Sequence, residues 1–503
     1  MALGSALSSA AGALTSGPVG SGTSYKQLQD KYRDFAHPQA QVTLGDSVFS
    51  NSNGDMIISD IHVELTSGFE ASLARFRIYN VYDPVSGNFR FSEIKKQIAM
   101  GTTLMLELGY LGELETVFVG FVAGVSFGYE PGQLPYIEVT GMDVKGIMMA
   151  GRYVNQLTAD NYADAVREIL KRTGYEQLKS GGGIVSIEVT DTPDVDETLL
   201  AALQAQETAQ TAAEQAQRAA DTAMEAAQAS GSASALAAAQ ALQEKANQAL
   251  SAVDAAKKAF QAAKEVYNTA QTAAEEIMRA LAEASKAGLP SSPVSVPMGP
   301  TSDYTVEMNA ESDYEFMVKA AKKFNFEFFV DRGTVYFRKA KSNNQVLMEL
   351  SSNAGMLGFN IEYSITGIVG SIEARSMNPG EGKIVSSSST FTNTISTGSA
   401  AKGLVNKGKM VLIDPTIANE TQAAARVASL MERMSYRLGT LEADCVGIPD
   451  LVPGRFIKVS GLGAPADNYF YVTSVEHDFR DDSGYHTHIV ACTDKVDDGG
   501  DLI

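Results

Sequence analysis

Apolar and polar residues alternate through the early part of the chain. From Gln41 to about Met149 the period is two, as in Asp60-Ile61-His62-Val63-Glu64-Leu65 and Thr103-Leu104-Met105-Leu106-Glu107-Leu108, with Ser-Gly, Asp-Pro and Pro-Gly signals between runs. Strands at this spacing predict a barrel or sandwich. Phe118 to Val125 and Tyr136 to Gly141 continue the series, with internal glycines where a barrel bends at its corners. The period then changes. Between residues 158 and 173, Ala163, Val166, Ile169 and Leu170 fall on one helical face, with Asn161 or Asp160 as the cap, and the spacing predicts a short amphipathic helix. A turn at Gly181 to Gly183 and a strand from Ile184 to Val189 come next.

The pattern changes again over about ninety residues from Glu197 to Ala287, where more than a third of the positions are alanine. Such composition reads as long helix or coiled coil. One heptad seam runs through Leu199, Ala202, Gln206, Ala209, Ala213, Ala216, Ala220, Ala223 and Ala227. After a break at Ser230-Gly231-Ser232 a second seam passes through Ala235, Ala239, Leu242, Ala246, Ala249, Val253, Ala256, Phe260, Ala263, Tyr267, Ala270, Ala274, Ile277, Leu281 and Ala284. The break predicts the tip of a helical hairpin. At 1.5 Å per residue the arms would reach about 50 and about 80 Å, so the second overhangs the first. Alanine seams bury little apolar area per turn, so the hairpin is expected to need a partner. Its candidate partner-binding residues are Leu242, Ala246, Val253, Phe260, Ala263, Tyr267, Ala270, Ile277 and Leu281; the alternative is a solvated spacer with no binding role. Pro290, Pro293, Pro297 and Pro300 close the insertion.

The globular pattern resumes at Tyr304. Ser312 with Glu315 three residues on has the outline of a capping box and predicts a helix through Ala321. Phe326 to Val330 and Thr334 to Phe337 flank Asp331-Arg332-Gly333, a compact hairpin signal. Phe359 to Ala374 reads as paired strands, and Asn378 to Lys402 as a Ser, Thr and Gly-rich loop. Residues 418 to 438 read as a helix with Ala424, Val427, Leu430, Met431 and Met434 inward, and strands continue to Thr493. Met1 to Ser24 is expected to be a mobile tail, and residues 494–503 a disordered acidic end.

Composition narrows the function. With 60 acidic and 40 basic residues the net charge is −20, the wrong sign for a surface that clamps phosphate backbones. No run of eighteen apolar residues predicts a spanning helix. Two cysteines, Cys445 and Cys492, cannot build a zinc ribbon or a disulfide framework, and read as buried free thiols. If Asp481 to Gly484 forms a hairpin turn, His477 lies opposite His488 with His486 on the same face; ordinary polar sheet positions are the preferred reading over a metal site. No G-x-S-x-G elbow stands after a strand, and Gly181-Gly182-Gly183 and Gly461-Leu462-Gly463 lack the Lys-Ser/Thr of a phosphate loop. No catalytic, metal or cofactor-binding residue is assigned, and no cofactor is expected.

Two stretches carry a resemblance. Ser312-Asp313-Tyr314-Glu315-Phe316, continued by Phe326-Glu327-Phe328-Phe329-Val330-Asp331-Arg332-Gly333-Thr334-Val335-Tyr336-Phe337-Arg338, resembles the helix and hairpin of the phage late control protein D and VgrG hub-region family. Asp450-Leu451-Val452-Pro453-Gly454-Arg455-Phe456-Ile457-Lys458-Val459-Ser460-Gly461 with Tyr469 to Phe479 and Gly484-Tyr485 resembles that family's final barrel. The resemblance implies a baseplate hub of a contractile tail or injection system. Such a hub is a homotrimer whose two β-barrels per chain join a hexameric tail tube to a separate trimeric spike, in contact with other baseplate proteins and the tape measure. It implies a mainly β, α+β fold with two barrels, and with the pattern above this divides the chain into lead-in 1–37, first barrel 38–157, an α+β domain from 158–190 and 304–345, second barrel 346–493 with helix 418–438, and tail 494–503; the helical hairpin with its proline-rich return at 191–303 is an insertion outside the family's common pattern. The implied place is a virion or tail-like particle baseplate assembled in the bacterial cytoplasm, without membrane insertion or specific nucleic-acid binding. Phage tail, bacteriocin and injection device stay open. The competing readings are a tail-associated peptidoglycan hydrolase and an anchor for an outward-projecting coiled-coil adhesin.

Overall fold

The computed structural model describes residues 18–190 and 306–496, apart from positions 53, 133, 158, 160, 394 and 481 and the stretches 379–382, 396–398, 415–416 and 418–419. The chain divides into two units, residues 1–13 with 192–306 and residues 14–191 with 307–503. The first lies almost wholly outside the described residues, and with it the heptad seams, including Leu242 to Leu281. The second contains nearly all of the described elements.

This second unit is mainly β, as the alternation predicts. Its largest sheet has 13 strands, and its main path runs Met356–Tyr363, Gly439–Val446, Gly484–Thr493, Asn468–Arg480, Ile57–Thr66, Leu73–Tyr79, Tyr136–Met142, Glu113–Gly128, Thr103–Tyr110, Pro38–Leu44 and Ser47–Ser50. Phe456–Val459 pairs with Asn468–Arg480, and Val346–Leu350 runs parallel to Phe456–Val459. The strands before residue 150 and those after residue 346 therefore share one sheet, joined where Ile57–Thr66 pairs antiparallel with Asn468–Arg480. The core is shared too. Ile61, Val63 and Leu65 from one block and Val475, Phe479 and Ile489 from the other belong to one buried cluster. The alternation explains this, because every second residue of each partner faces the same interior.

A small α+β piece flanks the junction. Helix Asp313–Phe324 begins with the expected capping box, Ser312 with Glu315, and ends at Asn325 in the left-handed conformation. Strands Phe326–Asp331 and Thr334–Lys339 form the expected hairpin over Arg332-Gly333, both at positive φ (48° and 77°). A turn of that hand matches the twist of the strands. Ser186–Val189 lies parallel to Thr334–Lys339, and Tyr153–Gln156 pairs with Glu307–Glu311, so the strands bordering the insertion both belong to this piece. Helix Tyr162–Leu170 is capped by Asn161, whose side chain accepts from the Asp164 amide, and buries Ala163, Val166, Ile169 and Leu170 as its spacing requires.

Four expectations are corrected, the first at the end of the chain: Val496, expected in a disordered tail from residue 494, bridges Ile395 and is buried. Phe359 to Ala374 does not fold as a pair of strands: Met356–Tyr363 pairs with Gly439–Val446, whereas Ser371–Asn378 lies in a separate three-stranded sheet between Lys383–Thr390 and Lys409–Ile413. Alternation marks a strand without naming its neighbour. The expected loop from Asn378 to Lys402 contains strand Lys383–Thr390 and the start of helix Ser399–Val405. There the inward positions are Val385 and Ser389, so serine carries the alternation and hides it from a hydropathy reading. Residues 18–24, expected within the mobile tail, run beside the main sheet: Val19 bridges Gln345 and Thr23 bridges Met348. Gly22 permits the approach, since a Cβ there would stand 2.6 Å from the Met348 amide nitrogen.

The three-stranded sheet packs Ile372, Ala374 and Val385 against Val427 and Met431 of helix Glu420–Ser435, a core separate from the main one. Among the described residues, no helix is long and apolar enough to cross a membrane.

Candidate functional site

The turn from Gly447 to Gly454 is where four parts of the chain meet. Its residues from Asp450 onward belong to the stretch that resembles the hub-region family. On one side Tyr32, directly after helix Tyr25–Lys31, donates its hydroxyl to Asp450 Oδ2 at 2.6 Å, and Lys31 Nζ bridges Asp450 Oδ1 at 2.9 Å and Glu115 Oε1 at 2.7 Å. Burial and the Asp450 carboxylate together raise the Tyr32 phenol well above its ordinary range, so it stays a donor. From the first block Tyr110 donates to the Gly447 carbonyl at 2.9 Å. From the α+β hairpin Arg332 Nη2 donates to the Pro449 carbonyl at 3.1 Å and Arg338 Nη2 to the Gly454 carbonyl at 2.8 Å.

The glycines are required by contact. A Cβ at Gly447 would lie 2.2 Å from Tyr485 Cγ, and one at Gly454, whose φ is +78°, would lie 2.7 Å from Phe329 Cζ. Below the turn sits a buried charged network. Arg338 Nε donates to Glu327 Oε1 at 2.6 Å while the Tyr471 hydroxyl donates to Glu327 Oε2. The guanidinium also lies over the faces of Phe329 and Tyr336, 5.1 and 4.8 Å from their centroids. A buried pair of this kind is satisfied on every side and costly to open from either partner.

The junction strands carry histidines with opposite character. On the outer face His62 Nδ1 lies 2.8 Å from Asp478 and its Nε2 2.9 Å from Glu64. The bond to Asp478, with help from Glu64, raises its pKa to about 9. On the inner face His477 is fully buried, its Nδ1 2.9 Å from the Tyr485 hydroxyl, and burial pushes its pKa down to about 3. The two rings stand on opposite faces of the same strand pair.

The register at the terminal hairpin differs from expectation. Arg480 pairs with Gly484, so Thr487 faces His477, Asp478 faces His486 and Glu476 faces His488. The difference is one residue, and one residue turns a side chain to the other face of the sheet. His477 points inward while His486 and His488 point out, and the three are not brought together. His488 Nδ1 instead lies 2.7 Å from Asp444. Among the described residues no group of His, Cys, Asp and Glu forms a metal ligand set. Cys445 is buried and Cys492 half-buried, both free, with thiol pKa values raised by burial to about 12 and about 11. Tyr32 and Tyr110 have no signal of their own in the sequence, since their partners lie more than three hundred residues away, whereas Glu327 and Arg338 face each other across the hairpin that the sequence marks.

Among the described residues, exposed apolar side chains gather in at least two places. Tyr82, Phe89, Phe91, Phe127 and Tyr129 form an aromatic cluster with neighbouring centroids 5.2 to 5.7 Å apart, of which Phe91, Phe127 and Tyr129 are exposed. On the outer face of the three-stranded sheet Met377, Ile384 and Ile413 are 64, 72 and 79% exposed.

Comparison with solved structures places this architecture. A tail protein from Neisseria meningitidis MC58 superposes with a TM-score of 0.51 over 91% of this chain and 97% of its own, at 10% identity. The chain shares the fold of tail proteins. The 43 kDa tail protein of prophage MuSo2 from Shewanella oneidensis has the same TM-score and identity, over 90% of this chain and 98% of its own. No curated protein matches in sequence. A family model described as the Alg8 N-terminal domain matches residues 236–481, just under half the chain. That range begins in the undescribed insertion and stops between the paired strands Asn468–Arg480 and Gly484–Thr493, so it matches no unit of the tail-protein fold.

Proposed function

We propose that this chain is a structural baseplate hub protein of a contractile phage tail or tail-like injection system. In this reading it acts without turnover, as a trimer that joins a hexameric tail tube to a separately encoded trimeric spike. The observation that carries the proposal is the shared fold over nearly the full length of two tail proteins, together with the hub-family resemblance of the stretch from Asp450 onward, which completes the Gly447–Gly454 turn. A load-bearing adaptor needs its parts to move together. One sheet running through both strand-rich blocks, locked by the Asp450 turn, suits that work. The acidic balance suits a ring through which an acidic cargo slides without sticking.

The inserted segment, with seam residues Val253, Phe260, Ala263, Tyr267 and Ala270, acts in this reading as a brace against a neighbouring baseplate protein. Replacing Glu197 to Ala287 with a short Gly-Ser joint then leaves the globular unit folded and lowers the yield of assembled particles; full assembly and normal contraction would remove the bracing role. The adaptor role is tested by co-expressing the chain with the tube and spike proteins encoded beside it. Recovery of one complex with three copies of this chain is the expected result. A chain that binds neither protein, or that clears peptidoglycan in a zymogram, would overturn it.

A further inference from the structure

A crevice of about 380 Å³ opens where three parts of the described chain converge. One wall is the turn at residues 66–70, another the end of helix Asp313–Phe324 with the start of the next strand, and the third Arg433, Tyr471 and Cys492. These walls are held in place. Lys145, buried 3.8 Å from Asp143, donates its Nζ to the carbonyls of Gly68 and Glu70. Asn325 closes the helix in the left-handed conformation and donates to Glu432.

Three cations line the space: Lys322, Lys341 and Arg433. Among the described residues none of them makes an ion pair. Lys341 is nine-tenths buried, with Nζ over the rings of Tyr436 at 4.2 Å and Tyr471 at 5.4 Å. Lys322 lies over Phe69 at 5.1 Å. Two carboxylates also line the crevice. Glu327 is committed to Arg338 and Tyr471, and Glu70 is exposed. Glu432 and Asp494 stand close enough to Lys341 to feel its charge without forming an ion pair with it.

A buried cation without an ion pair, such as Lys341, is costly, and Lys322 and Arg433 stand exposed at the rim beside it. Such a grouping is the more unexpected in a chain with 60 acidic residues to draw on. Although Arg433 is exposed, partial desolvation and the nearby Arg426 and Arg437 hold it below the ordinary guanidinium range, and a bound anion would relieve the repulsion among the three arginines. Phe69, Phe326 and Tyr471 add apolar and aromatic surface to the lining. The space is larger than a bare ion needs and lies within the usual range for an organic ligand.

We propose that this crevice binds an organic oxyanion, a carboxylate or phosphate monoester carrying an apolar or aromatic group, with Arg433, Lys341 and Lys322 taking the charge. The site does not depend on the hub reading. Its occupation would tie the first block, the α+β piece and the second block together.

The test is titration calorimetry on the full chain at constant ionic strength, with phenyl phosphate, benzoate, inorganic phosphate and benzyl alcohol as probes. At least one aromatic anion should bind saturably, about tenfold more tightly than inorganic phosphate or benzyl alcohol. Tighter binding of phenyl phosphate assigns the natural ligand to phosphate esters, and tighter binding of benzoate to carboxylates; either upholds the site. Arg433→Met should weaken binding about tenfold and Lys322→Gln, at the exposed rim, by a smaller factor. Lys341→Met also removes two ring contacts, so its thermal midpoint is measured first and its binding read only from folded protein. No saturable binding, equal binding of benzyl alcohol, equal binding of inorganic phosphate, or undiminished binding by folded Arg433→Met would each overturn the proposal.

Discussion

The Gly447–Gly454 turn and the three-stranded sheet of residues 371–413 are both made where strands meet, yet they end differently. At the turn, Tyr32, Tyr110, Arg332 and Arg338 arrive from distant parts of the chain and each finds a hydrogen-bond partner there. On the small sheet, Glu373 is held by Arg375 and Lys409, but Met377, Ile384 and Ile413 beside them face solvent. One region is complete within a single chain. The other leaves apolar surface uncovered, which is what a protein that works in an assembly is expected to retain.

Substitutions should separate the two regions by the size of their effect on stability. The largest loss is expected from Glu327→Ala, which leaves the Arg338 guanidinium buried without its carboxylate; about 4 kcal/mol should appear in denaturant unfolding. Gly447→Ala forces a Cβ between Tyr485 and Tyr110 and should cost about 3 kcal/mol by the same measurement. An unchanged midpoint in either variant would mean that the turn does not lock the two blocks together.

The junction histidines give a pH signature. His62, with its pKa raised to about 9 chiefly by Asp478, contributes stability that is complete below the ordinary value of 6.5 and is lost as pH rises through 9. His477 works in the other direction. Its pKa, pushed by burial from 6.5 down to about 3, gives a contribution present above 6.5 and lost as pH falls toward 3. Thermal midpoints across pH 4 to 10 should therefore fall on both sides of about 6.5. His62→Asn should flatten the alkaline limb and His477→Gln the acid limb; a variant that leaves its own limb unchanged would contradict the assignment. The smallest effect belongs to the outer sheet. Ile413→Ser should change the stability of the isolated chain by no more than about 0.5 kcal/mol, because the side chain is already in water. A loss of several kcal/mol would show that this face is buried in solution.

The same contrast explains what can be read from the sequence. Period-two runs such as Ile61-His62-Val63-Glu64-Leu65 identify the strands, and Ser312 with Glu315 and Arg332-Gly333 identify a helix start and a hairpin, because those signals are local. Pairing is not local. That Ile57–Thr66 lies beside Asn468–Arg480 depends on more than four hundred intervening residues, and no spacing rule reaches so far. Strand Lys383–Thr390 is hidden because serine occupies its inward and outward positions alike. His477 falls on the wrong face from spacing alone, because the hairpin closes from Arg480 to Gly484, one residue from the register that the turn signal suggests. At the turn, Pro453-Gly454 signals a bend, but nothing nearby in sequence points to Tyr32 or Arg338.

A hub of the proposed kind requires both strand-rich blocks to act as one body and three such bodies to close a ring. Cryo-electron microscopy of the purified full-length chain, with image averaging, reads both properties at once. Threefold particles are expected in which each copy contributes both blocks, fixed to each other through the Ile57–Thr66 and Asn468–Arg480 pair. Single-chain particles, or blocks that vary in their angle to one another, would contradict it.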